Sequence, residues 1–169
     1  MRLINIKLIH KKEHREVYDD GKYIVKKTKP NAFNFETYKR FQLDNPWCVK
    51  VHSFEDGIIV MDKVEGIPWQ QYRTQVTKDQ LWNICVLHRN TVVKSFFDFI
   101  GKTYVDANQP VFYHRDATYG NLIMQGDKPM FIDPDGTVTM PWDMFLQRCG
   151  EQTQQWFNEY LYWAHRNDK

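Results

Sequence analysis

The chain reads His114-Arg115-Asp116, four residues on Asn121, and then, beyond a predicted hairpin, Ile132-Asp133-Pro134-Asp135-Gly136. Leu122 to Met124 and Met130 to Asp133 are predicted as short strands flanking Gln125-Gly126-Asp127-Lys128, a run that favours a turn. A hairpin returns its end to its beginning, so Asp116, Asn121 and Asp133 can converge on one point. Converging carboxylates need a reason, and magnesium supplies one. It takes hard oxygen ligands, and a few protein oxygens with phosphate oxygens and water complete its octahedron. Asp116 would then stand beside the metal as the group that orients and deprotonates a substrate hydroxyl.

These residues, in this order, resemble the protein-kinase-like superfamily, whose catalytic loop has the form HRD-x4-N and whose metal-binding strand ends in DFG or a related Asp-containing sequence. The resemblance implies that Asp116 is the catalytic base, that Asn121 and Asp133 are magnesium ligands, and that the cofactors are ATP and Mg2+. Gly120-Asn121-Leu122-Ile123, and Pro134-Asp135 after Asp133, look more like the aminoglycoside and choline phosphotransferase branch than like protein kinases. Thr118 stands where Ser/Thr protein kinases place a lysine.

Working outward, the first third reads as strands and turns. Leu3 to Ile9, Glu16 to Tyr18 and Tyr23 to Lys27 are the expected strands, with Asp19-Asp20-Gly21 as a hairpin signal. Ala32 to Leu43 has aromatics at helical spacing, with Asn31 as its expected cap. Alternation at Trp47, Val49 and Val51, a turn at Glu55-Asp56-Gly57 and a run from Ile58 to Val64 follow. By resemblance, Lys26 is the lysine that holds the nucleotide phosphates, with Lys27 and Lys29 as rivals, and Glu36 on the following helix is its ion-pair partner. Asp62 and Val64 fall in the segment resembling the hinge, where backbone groups bind adenine. The likeness runs loosely from about Leu3 to Asp143.

Two departures stand out. Around Leu8 to Arg15, where a glycine-rich phosphate loop belongs, the sequence offers Lys11, Lys12, His14 and Arg15; basic side chains there could compensate as phosphate contacts. The interval between Gly136 and Trp142 leaves no room for a long activation segment. Asp135 reads as the turn residue before Gly136 in preference to a second metal contact, and His114 as a structural brace.

In the second half, Thr77 and Gln80 form a capping box ahead of a helical stripe from Leu81 to Phe99. Val111 to Tyr113 is a brief strand, and Trp142 to His165 is helical with an interruption near Gly150. The expected fold is α+β: one two-lobed kinase-like domain with a small antiparallel-sheet N-lobe (1–65) and a reduced helical C-lobe (66–169).

Composition sets the outer bounds. With 42% hydrophobic and 26% charged residues among 169, the chain is ordinary globular material with enough length for one core or two small lobes. A formal net charge of +2 argues against a nucleic-acid partner, although Lys7 to Arg15 is locally basic. Cys48, Cys85 and Cys149 make no CxxC pair and the histidines no HExxH, so disulfide and zinc readings fail and a reducing cytoplasm fits. No apolar run approaches the ~20 residues of a spanning helix, so no membrane partner is expected. The expected partners are a nucleotide and a hydroxyl-bearing substrate, protein or small molecule. The competing expectation is a catalytically inactive kinase-like protein-binding module, motivated by the missing glycine loop.

Overall fold

The computed structural model describes residues 6–31, 33–43, 46–83, 111–114 and 119–167. Asp116 and most of the Leu81 to Phe99 stripe lie outside the described residues.

Asp-Gly turns shape the first layer. Between β2 (Arg15–Asp19) and β3 (Tyr23–Lys27), Asp19 Oδ1 accepts a hydrogen bond from the Gly21 amide (2.8 Å), and Asp20 Oδ1 accepts from those of Lys22 and Tyr23 (2.9 and 2.6 Å). Between β4 (Val51–Glu55) and β5 (Ile58–Asp62), Asp56 and Gly57 both have positive φ (50° and 78°), the pairing that matches hairpin twist. A side chain on Gly57 would run into the Thr28 carbonyl. With β1 (Lys7–Lys12) these strands form one five-stranded antiparallel sheet, ordered β1-β2-β3-β5-β4. Among the described residues β1 begins at Lys7 and continues to Lys12 before the Glu13-His14 turn, and Leu3 to Asn5 of the expected strand lie outside the described residues.

α1 (Phe35–Leu43) begins three residues later than expected. Asn34, not Asn31, is the cap: its Oδ1 accepts from the Thr37 amide (3.1 Å) and its carbonyl from the Tyr38 amide (3.0 Å). Phe33, just before the cap, packs on Tyr38 and Phe54, which pins the helix to β4. The alternating Trp47-Val49 stretch is not the start of β4. It is stitched to the second half of the chain, the Phe131 amide donating to the Trp47 carbonyl and the Val49 amide to the Phe131 carbonyl (both 2.8 Å).

β8 (Leu122–Gln125) and β9 (Lys128–Phe131) form the expected hairpin, joined by β6 (Ile67–Pro68) in a three-stranded sheet ordered β6-β8-β9. Gly66 makes that junction possible. Its φ is +155°, and a side chain there would strike the Met124 carbonyl. α2 (Trp69–Tyr72) follows, with Trp69 fully buried and the Tyr72 hydroxyl donating to Asp127 Oδ1 (2.6 Å). The Thr77–Gln80 box is present, with the Thr77 amide donating to Gln80 Oε1 (3.0 Å) and the Gln80 amide to Thr77 Oγ1 (3.3 Å) at the head of helical residues 78–83.

β7 (Val111–His114) pairs antiparallel with β10 (Thr137–Met140), a strand inside the short interval that follows Gly136. The final helix, α3 (Trp142–Asn167), is unbroken; Gly150 sits inside it with open space around its Cα. One glycine costs a helix only about 1 kcal/mol against alanine, too little to interrupt 26 residues. Residues from both halves share one core, among them Val49, Val51, Ile59 and Met61 with Trp69, Leu122, Met124 and Phe131. Among the described residues, no helix is long and apolar enough to cross a membrane.

Candidate functional site

Alternation along β3 decides which lysine faces inward. Ile24 and Lys26 line a cavity of about 610 Å³ under the sheet, whereas Lys27 and Lys29 are exposed. Lys27 instead lies 3.9 Å from Glu16. Val17, Ile24, Val49 and Met61 give the sheet side of the cavity an apolar surface, and Ile123 and Ile132 from the β8–β9 hairpin face it. Asp62, Lys63 and Val64 close one side, immediately after β5 reaches its end, and Gly120, Asn121 and Asp133 another. An apolar slot with convergent polar groups at one end is the usual form of a small-molecule site.

The polar end is built on a buried ion triad. Lys26 Nζ is bonded to both Asp133 Oδ1 and Asp135 Oδ1, and the Asp135 side chain is 0% exposed. Burial pushes the Asp133 carboxyl up to about 7, its hydrogen bond with Asp135 adding to the rise while Lys26 opposes it. For Asp135 burial also works upward, but the Asp133 hydrogen bond, Lys26 and Arg15 outweigh it and hold the carboxyl well below the usual range. The two shifts run in opposite directions, so of the pair Asp135 is the first to ionise.

The structure thus brings Lys26, Asp62, Val64, Asn121 and Asp133 to one cavity and leaves Glu36 out. Glu36 is 79% exposed on the outer face of α1, where its carboxylate lies 3.7 Å from Lys39. The expected Lys26–Glu36 pairing is corrected accordingly: Asp133 and Asp135 occupy Lys26. Asp135 does stand in a turn, as read, but its side chain is buried and paired with Lys26. A 3-10 turn over Pro134–Gly136 points this carboxylate inward, a fact of burial that no sequence spacing announces. At the hinge-like segment the Asp62 amide donates to the Lys50 carbonyl (2.9 Å), and its carboxylate meets His52 Nε2 at 2.6 Å, so that amide is already committed within the protein.

The donor set suits magnesium better than zinc. Among the described residues no group of three His, Cys, Asp or Glu could hold a metal ion. A cation here would lean on Asp133, the Asn121 amide oxygen, phosphate oxygens and water, which is the way magnesium is usually held. Behind Asp133, Asp135 Oδ2 is buried with no hydrogen-bond partner among the described residues.

A scan against protein-family models found no match to this sequence, and neither did a comparison with curated protein sequences. Solved structures do match. The Cydia pomonella granulovirus kinase PK-1 superposes with a TM-score of 0.52 at 19% identity, over 79% of this chain and 52% of that one. The GDP complex of aminoglycoside 2'-phosphotransferase-IIIa, solved as a mutant, gives 0.51 at 11% identity, over 100% of this chain and 78% of that one. The chain spans about half the length of the viral kinase. With the five-stranded sheet, these matches show the fold: the chain is α+β and protein-kinase-like in its architecture. The likeness in fold extends to both the viral kinase and the aminoglycoside phosphotransferase.

Proposed function

We propose that this chain is a phosphotransferase that binds ATP with Mg2+ in the cavity beneath the sheet and passes the terminal phosphoryl group to a hydroxyl acceptor, protein or small molecule. One observation carries the reading: Lys26, Asn121 and Asp133, far apart in sequence, line a single cavity whose walls also include the apolar Val17, Ile24, Met61, Ile123 and Ile132. The GDP complex of the aminoglycoside phosphotransferase neighbour is in keeping with a nucleotide in a cleft of this fold.

In this reading the base lies between Ile24 and Val49 on one side and Ile123 on the other, beside Asp62 and Val64. Lys26 binds the phosphates. Asp133 and Asn121 would hold magnesium, which when bound neutralises phosphate charge during transfer. Asp116, two residues beyond the end of β7 in sequence, orients the acceptor hydroxyl and takes its proton. Positioning and charge neutralisation supply the catalysis, and the chain acts as one kinase-like domain with its lobes meeting near Gly66. The free, buried Cys48 suits a reducing cytoplasm.

A binding module without turnover is the second reading, favoured by the same triad: Lys26 is engaged by carboxylates, one of which the metal needs. Incubation with labelled ATP and magnesium separates the two. Transfer of label to protein or metabolite, abolished in both Asp116→Ala and Asp133→Ala with the fold retained, is the expected outcome. Normal turnover in both variants would assign the chemistry elsewhere, and an unlabelled result without ATP-induced thermal stabilisation would favour the module.

A further inference from the structure

A carboxylate with no exposed surface must be paired, and the partners it gathers show what it is for. Asp135 gathers two cations from different strands. Its Oδ1 takes Lys26 of β3, and its Oδ2 lies 3.9 Å from Arg15 Nε, an ion-pair separation too long for a hydrogen bond. Arg15 opens β2 directly across from Lys12, and with Lys12 and His10 it lines the polar side of the cavity from the β1–β2 hairpin. That hairpin tip, Glu13-His14, has no residue at positive φ and so requires no glycine. A guanidinium that turns one edge toward Asp135 keeps its other N–H groups for a planar, bidentate grip on a phosphate.

Resting on the nucleotide reading above, we propose that Arg15 and Lys26 form a side-chain clamp for a polyphosphate, and that Asp135 is the positioning residue holding both cations. The clamp takes over two tasks at once. Side chains at the hairpin tip replace the backbone of a glycine-rich loop, and Asp135 replaces the helix glutamate, since Glu36 faces solvent and Lys39. If Asp133 is given over to a metal, Asp135 remains as the carboxylate that aims Lys26.

The test measures equilibrium binding of three probes, ATP, inorganic tripolyphosphate and adenosine, to the full chain and to Arg15→Gln, Arg15→Lys and Asp135→Asn. Losing a charge-assisted contact should weaken ATP and tripolyphosphate about tenfold in Arg15→Gln while adenosine binding stays as in wild type. Arg15→Lys should recover only part of the loss, because a point charge lacks the fork. Asp135→Asn should raise the KM for ATP and weaken tripolyphosphate while leaving adenosine binding intact; equal loss of all three probes would mean a merely structural role and would overturn the positioning claim. Arg15 is 48% exposed, so its variants report even where Asp135→Asn does not fold. Wild-type affinity for ATP and tripolyphosphate in Arg15→Gln overturns the clamp alone. A wild-type chain that binds no ATP at any accessible concentration overturns the clamp together with the nucleotide reading.

Discussion

Lys26 and the two aspartates around it are the residues on which the site turns. Removing one partner of a buried ion pair typically costs about 3 to 5 kcal/mol, because the charge left behind is unsolvated. Lys26→Met should therefore destabilise the chain by about 3 kcal/mol at pH 7. The variant should regain part of this as the pH falls toward 5 and its carboxylates take up protons; urea titrations at the two pH values check it. Asp133 itself gives a sign that can be worked out. Its folded pKa of about 7 lies above the ordinary carboxylate value, so the folded chain holds a proton that the unfolded chain has released. Its contribution to stability is complete below about pH 4 and is lost as the pH rises through about 7. Asp133→Asn should remove that part of the pH dependence, read as the difference between variant and wild-type unfolding curves from pH 4 to 8. Asp135, held low, works the other way: its contribution is present above the ordinary carboxylate value and is lost in acid. At this scale the meeting of Asn121 with Asp133 was legible, because a hairpin brings its two ends together, whereas Lys26 was picked out from Lys27 and Lys29 only by resemblance until the structure showed which of them lines the cavity. The partner of Lys26 was misread as Glu36, and the burial of Asp135 within its turn went unseen, for one reason: which carboxylate reaches the lysine depends on whether a side chain turns inward, and burial has no signature in spacing.

Among the elements, those closed by local chemistry were the most legible. The Asp19-Asp20-Gly21 turn and the Thr77–Gln80 box follow from side chains meeting nearby amides, and the Asp56-Gly57 turn from two residues that tolerate positive φ. Thr77→Ala should lower stability by about 1 kcal/mol, seen as a smaller midpoint in denaturant at unchanged slope. Elements fixed by distant partners were less legible. β10 exists because it pairs with β7, and Trp47 and Val49 are occupied by Phe131, so neither was readable from its own residues. The cap of α1 moved from Asn31 to Asn34 because Phe33 is needed against Tyr38 and Phe54. Gly66 is an intermediate case: the sequence marks a boundary there, and the structure adds a close approach to β8. Gly66→Ala should cost about 2 kcal/mol through strained backbone and the clash with the Met124 carbonyl, measurable by thermal unfolding.

Across the whole molecule, the cavity is lined both by the five-stranded sheet and by the hairpin of the three-stranded sheet, and residues of the two share one core. Val49, Val51, Ile59 and Met61 pack with Leu122, Met124 and Phe131, and that shared packing sets Lys26 opposite Asp133. The fold matches a viral kinase over about half of that protein's length. The central claim is that the cleft holds a nucleoside triphosphate whose metal is gripped by Asp133. Calorimetric titration of ATP into the wild-type chain and into Asp133→Asn, each with and without magnesium, tests it most directly. The account expects magnesium to tighten binding to the wild type and to have little effect on the variant; equal enhancement by magnesium in both proteins, or no heat from either, would contradict it.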